Sequence, residues 1–268
     1  MDLALAPGAG FSVETISDLD HYLATVAAAG FSTVSLGMAQ LAPAQREPRG
    51  FAVAAEMLED HGLRCSDVIG LIVRRDDAEA DESARSLSDA AHALGAEWIL
   101  TLLFTRVTDE SLARLDRCAG HAAQAGARLA LEIATGGPVG TITQGLAVVE
   151  SVGADRMGVL IDTWHFFRGG STFAELETIP LDRIALVQFD DALAPETEDV
   201  MHETMDRRTW PGQGELDLAR FADVLTARGW EGVVSVEVLS AELRRLDLRA
   251  FTEAAYATTR AYWNGTRE

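Results

Sequence analysis

Four side chains able to hold a hard metal ion stand near the ends of apolar runs in the second half of the chain: Glu132, Asp162, Gln188 and Glu237. Asp162 closes the run Met157 to Ile161, and His165 stands three residues later. A carboxylate at the carboxyl end of a buried strand is either an N-cap for the next helix or a ligand in a site above the sheet. Glu132 and Glu237 lie within otherwise apolar stretches, where an unpaired carboxylate costs several kcal/mol. One way to satisfy them is an arginine from a neighbouring strand. The basic residues nearest in pattern, Arg64 and Arg128, begin their strands and so lie at the other end. A divalent cation would satisfy all four donors at once. Three carboxylates and an amide are oxygen donors, which suits Mn²⁺, Mg²⁺ or Co²⁺ better than a thiolate or poly-imidazole zinc site.

These donors converge only if the strands that carry them share one end. The chain alternates short apolar runs with helical patterns. Runs at Leu3 to Ala6, Thr33 to Leu36, Leu63 to Val68, Trp98 to Leu103, Arg128 to Ile133, Met157 to Asp162, Ile184 to Phe189 and Gly232 to Leu239 read as strands. Helical spacing lies between them, often stopped by glycine, as at Gly30, Gly62, Gly95, Gly126 and Gly153. Ser17 or Asp18 is expected to cap the first helix, residues 37–50 to form a loop, and residues 192–214 a long loop or lid. Eight strand-then-helix units in 268 residues predict one α/β domain over residues 1–268, a single (β/α)8 TIM barrel. Gly8-Ala9-Gly10 offers two glycines of a dinucleotide fingerprint, but Val13 stands where the third belongs, which argues against an open dinucleotide-binding sheet.

Composition narrows the partners. A hydrophobic share of 48% supports a substantial core, and a net charge of −20 repels nucleic acid and anionic membranes. Cys65 and Cys118 are far apart and lack metal spacing, so two reduced thiols in a cytoplasmic protein are expected. No basic leader and no apolar run of membrane-spanning length is visible, which gives the Asn264-Gly265-Thr266 sequon no secretory context. The expected partner is a small molecule, and the chain admits a homodimer.

Leu131-Glu132, Asp162-x-x-His165, Val187-Gln-Phe-Asp-Asp-Ala192, Pro211-Gly-Gln-Gly214 and Val236-Glu237 carry a resemblance. The chain resembles, over nearly its whole length, the xylose-isomerase-like TIM barrels of the sugar-phosphate isomerase/epimerase and AP endonuclease 2 superfamily. The resemblance implies one divalent metal held by Glu132, Asp162, Gln188 and Glu237. It implies acid–base roles for the two glutamates on opposite faces of the substrate, and a substrate contact for His165. The implied activity is isomerisation or epimerisation of a keto-sugar or related polyol, by proton transfer next to a carbonyl through an enediolate. Family epimerases typically carry histidine where Gln188 stands. Glutamine is found in a subgroup that includes dehydratases of cyclic keto acids, so the alternative is a 3-dehydroshikimate- or inosose-dehydratase-like lyase.

Arg207 or Arg208 matches the family's substrate-binding arginine, and either could hold a carboxylate or phosphate. Trp164, Phe166 and Phe104 are candidate pocket walls. The repair endonucleases of the superfamily use a histidine-rich trinuclear zinc site. Here His21, His61, His92 and His121 fall in helical patterns, and the acidic charge opposes DNA. A non-catalytic sugar-binding module would be expected to have lost one or both glutamates, and both are present.

Overall fold

In a computed structural model, which describes residues 1–7 and 11–263, eight parallel strands close on one another. They are β1 (Asp2–Leu5), β2 (Thr33–Gly37), β3 (Arg64–Val73), β4 (Trp98–Leu103), β5 (Arg128–Glu132), β6 (Met157–Asp162), β7 (Ile184–Phe189) and β10 (Val233–Val236). Around the barrel their order is β1-β10-β7-β6-β5-β4-β3-β2, and β2 returns to β1. Helices separate successive strands, as a parallel barrel requires. Two short strands, β8 (Asp191–Ala192) and β9 (Arg208–Thr209), pair antiparallel above the barrel. The Gly8-Ala9-Gly10 turn and the Asn264 sequon lie outside the described residues.

The core has two parts because each strand alternates its side chains. Trp98, Leu100, Ala130, Leu160, Ala185 and Leu186 fill the barrel interior. The opposite faces, such as Leu129, Leu131, Val159 and Val187, pack under the helices. Cys65 and Cys118 are buried free thiols in that layer. Among the described residues, no helix is long and apolar enough to cross a membrane.

Three local expectations change. Thr15, rather than Ser17 or Asp18, caps the first helix, Ile16–Ala28; Asp18 returns the bond by accepting from the Thr15 N–H at 2.9 Å. Part of the expected loop 37–50 is a helix, Met38–Gln45, despite Pro43 within it. Burial of Leu41 and Ala44 outweighs the one backbone hydrogen bond that a proline cannot donate. The stretch 192–214 is not featureless either: it holds a helix, Val200–Asp206, and the β9 half of the small ladder.

One acid of the barrel interior stands on β3. Asp67, fully buried on β3, accepts hydrogen bonds from Ser35 Oγ at 2.7 Å and Ser66 Oγ at 2.6 Å. Burial pushes its pKa up to about 6, and the two hydroxyls oppose the shift. Between about pH 4 and pH 6 the folded chain therefore keeps a proton that the unfolded chain has lost. The cost of this carboxyl to stability grows as pH rises through that window, to about 3 kcal/mol above it. Asp67→Asn should be more stable than wild type at pH 8, with the advantage shrinking towards pH 4. Thermal unfolding across that range is the measurement; a pH-independent difference would contradict the assignment.

Candidate active site

Strand register explains why the four donors converge. Asp162 is the register partner of Gln188, and Gln188 of Ser235. Glu132 pairs with Leu160, two residues before Asp162, while Glu237 lies two residues beyond Ser235. With a side-chain period of two, all four positions share the interior-facing parity at the carboxyl end of the barrel. Glu132, Asp162 and Gln188 are buried. Oxygens of Glu132 and Asp162 lie with a ring nitrogen of His165 inside a 4.8 Å cluster. Glu132, Glu237 and His165 line a cavity of about 530 Å³.

Asp162 does two things with its two oxygens. Oδ1 caps the short helix Thr163–Arg168 by accepting the His165 N–H at 2.9 Å. Oδ2 takes a hydrogen bond from Arg208 Nη1 at 2.6 Å. His165 is held by the loop after β5: its Nδ1 accepts the Thr135 N–H at 3.0 Å. A nitrogen that accepts there carries no proton, so the neutral ring bears its proton on Nε2. Nε2 faces Glu132 Oε1 at 3.3 Å.

Arg208 corrects the expectation that few basic residues could serve the acids. Its guanidinium is buried at the base of the cavity, bonded to Asp162 and Asp190 and 3.7 Å from Glu237. Thr204 holds it in place, with Nε on the main-chain oxygen at 2.9 Å and Nη2 on the hydroxyl at 2.8 Å. Burial works against its charge, but Asp162, Asp190 and Glu237 more than offset this and raise its pKa. Asp190 is the residue whose part sequence reasoning missed. It is wholly buried, accepts from the Thr163 hydroxyl at 2.8 Å, and completes the Arg208 pairing. The available signal was the doublet Asp190-Asp191 directly after an apolar strand.

One guanidinium does not balance four carboxyls. Burial pushes Glu237 up to about 8; Arg208 opposes the shift, and Glu132, Asp162 and Asp190 add to it. Asp190 rises to about 7, again by burial first, with Arg208 opposing and Asp162 adding. Among the described residues, Gln188 Oε1 is buried without a hydrogen-bond partner. An orphaned carbonyl oxygen beside surplus carboxylates is the environment an oxygen-coordinated cation fits.

The other candidates separate by position. Arg207 does not line the cavity; it ties the loop together through Glu196 at 2.9 Å, Glu203 at 3.1 Å and the Ala194 carbonyl at 2.8 Å. Trp164 is buried behind the cavity wall, edge-on to His165 and 5.6 Å from the Arg208 guanidinium. Phe166 packs away from the cavity against Phe167, Phe173 and Phe221. Phe104 stands exposed at the mouth. Asp191 explains the Pro211-Gly-Gln-Gly214 motif: its carboxylate accepts the N–H groups of Ala192, Gly212, Gly214 and Leu216 at 2.8 to 3.0 Å. A Cβ on Gly214 would run into that carboxylate and the Ala192 carbonyl.

A closed parallel barrel with an acidic cluster at its carboxyl-terminal mouth defines a (β/α)8 protein of the kind that places its chemistry above the strands. The family profile "Xylose isomerase-like TIM barrel" matches residues 23–261, and the chain belongs to that family. It is 34% identical over 139 residues to an inosose isomerase of Halalkalibacterium halodurans, a match covering 50% of this chain and 47% of that protein. It is 29% identical over 253 residues to a 3-dehydroshikimate dehydratase of Pseudomonas putida, covering 89% of this chain and 39% of that one. The aligned stretch is thus under two thirds of either relative. In fold it is similar to the IOLI protein solved with a zinc atom, with a TM-score of 0.84, 22% identity and 98% of both chains covered. Its relatives are enzymes of isomerase, epimerase and dehydratase type.

Proposed function

We propose that this chain is a divalent-cation-dependent isomerase or epimerase of a hydroxyketone of the keto-sugar and polyol class. The observation that carries the reading is the Gln188 Oε1 that finds no partner among the described residues, on the strand between that of Asp162 and the one leading to Glu237. Glu132, Asp162, Gln188 and Glu237 would hold one Mn²⁺, Mg²⁺ or Co²⁺ through oxygens at about 2.0 to 2.6 Å. A bound cation supplies electrophilic polarisation of a carbonyl, which acidifies the neighbouring C–H. His165 stays out of the ligand set, since its Nε2 is the protonated nitrogen in this arrangement. It acts as a donor towards Glu132 or a substrate oxygen. The two glutamates come from β5 and from the segment after β10, three strands apart around the barrel, so they flank whatever the cavity holds. One takes the proton and the other returns it. Return to the opposite face of the same carbon is epimerisation, and return at the adjacent carbon is isomerisation.

Expulsion of a β-hydroxyl instead would make the chain a lyase. Gln188 and the similarity to a dehydratase favour that second reading. Both readings require the cation. Exhaustive chelation should abolish turnover of keto-sugars or cyclic keto acids, and Mn²⁺, Mg²⁺ or Co²⁺ should restore it. Full turnover by demonstrably metal-free protein would exclude the reading.

A further inference from the structure

Among the described residues, the charged side chains that line the cavity lie at its floor. Glu132, His165, Arg208 and Glu237 gather at one end. Of the other two polar side chains lining it, the Thr135 hydroxyl donates to the His165 carbonyl at 3.2 Å, and the Thr204 hydroxyl accepts from Arg208 at 2.8 Å. The remaining side chains are mostly hydrocarbon, thioether and aromatic ring, among them Ile69, Leu102, Phe104, Met201, Met205 and Leu239, and the stretch Ala134 to Pro138 lines the cavity beside them. The apolar character continues to the rim, where Phe104 is 61% and Met201 63% exposed. These two are not loosely placed. Phe104 comes directly after β4, and its N–H is bonded to the Val73 carbonyl at 2.9 Å. Met201 sits in the first turn of Val200–Asp206, whose N-terminus Asp199 caps and whose far end Arg207 ties to Glu196 and Glu203.

A polyol fits such a wall poorly. Each hydroxyl turned towards those apolar side chains gives up water and finds no donor or acceptor on them, a loss of about tenfold in affinity or more. A ring or chain without those hydroxyls gains by covering the same surface. Methionine thioethers and an aromatic face suit a flat apolar body of variable outline.

We infer that the substrate is a hydroxyl-poor hydroxyketone: its oxygens are gathered at one end for the acidic floor, and an apolar ring or chain lies against the Phe104–Met201 wall. The inference rests on the hydroxyketone reading above: it keeps the reacting carbonyl and its neighbouring hydroxyl and departs from the polyol class for the rest of the substrate.

Calorimetric titration of the Mn²⁺-loaded protein with two six-membered ring ketones tests it. One is 2-hydroxycyclohexanone, which has the carbonyl and its neighbouring hydroxyl and nothing more. The other is inosose, which adds a hydroxyl at every remaining ring carbon. The first should bind at least about tenfold more tightly, and the Phe104→Ser/Met201→Ser double variant should shrink that ratio to about threefold or less. Equal or tighter binding of inosose overturns the inference. So does a ratio that survives in the double variant, because the wall would not be its source. Failure of both probes to bind removes the hydroxyketone head and overturns it too. Repeating the titrations without Mn²⁺ reads the parent proposal separately: affinities that ignore the cation would refute the metal-dependent function while leaving the ratio to report on the wall.

Discussion

Replacing Glu132 or Glu237 by glutamine lowers kcat by about 10²-fold or more, while the protein still folds and still binds its cation. The amide keeps the size of the side chain and one oxygen donor, and it loses the ability to take a proton. The two substitutions differ in a way that assigns the roles. The variant without the initial base stops exchanging the substrate C–H with solvent deuterium. The variant without the second group still exchanges but fails to deliver product. Position supports two acids rather than one: Glu132 ends β5 and Glu237 comes directly after β10, and both line the same cavity. Near wild-type kcat in either variant, with cation bound, would show that glutamate to be a ligand only.

Loss of Arg208 has the second large effect, and it falls on stability. Arg208→Met leaves Asp162 and Asp190 buried beside each other without their shared partner. Breaking a buried pair in this way costs about 3 to 5 kcal/mol. For a chain of this length that is a fall in Tm on the order of 10 °C. The same charge count predicts that a divalent cation restores part of the loss, since it supplies positive charge to the cluster the arginine has left. Unfolding curves of the variant and wild type, each with and without Mn²⁺, separate the two contributions. A variant as stable as wild type in chelator would show that Arg208 does not counterbalance the cluster.

The barrel was largely legible because its strands are short, apolar and sharply ended. Trp98–Leu103, Met157–Asp162 and Ile184–Phe189 have the limits that their apolar runs suggest. The spacing of Glu132, Asp162, Gln188 and Glu237 at strand ends was enough to place them at one mouth. What could not be read was which partner an acid finds across a loop. Arg208 is one of two adjacent arginines in a polar stretch, and nothing local distinguishes the fully buried one from the half-buried Arg207 beside it. The difference comes from the β8–β9 ladder, which sets Arg208 opposite Ala192 and turns it inward. The helix Met38–Gln45 escaped notice for a related reason. Pro43 within it, with Gly37, Pro48 and Gly50 around it, spells a loop, and only contact with the barrel makes Leu41 and Ala44 worth burying.

Asp191 has a consequence for how this protein can change. Its four N–H contacts pin the two ends of the 193–215 excursion to one carboxylate, with the Leu193 N–H on the Arg207 carbonyl and the Glu215 N–H on the Ala192 carbonyl closing the neck. The segment that carries Met201 and Met205 over the cavity thus hangs from a fixed clasp, although Thr204 and Arg208 within it also build the acidic floor. Because closing a flexible loop between fixed ends costs little per added residue, insertions ahead of the helix Val200–Asp206 and exchanges at Met201 and Met205 can reshape the roof of the cavity while Thr204 and Arg208 keep the floor in place. Substrate preference and proton-transfer machinery thus meet at Thr204 and Arg208 and are elsewhere separable, free to drift at different rates.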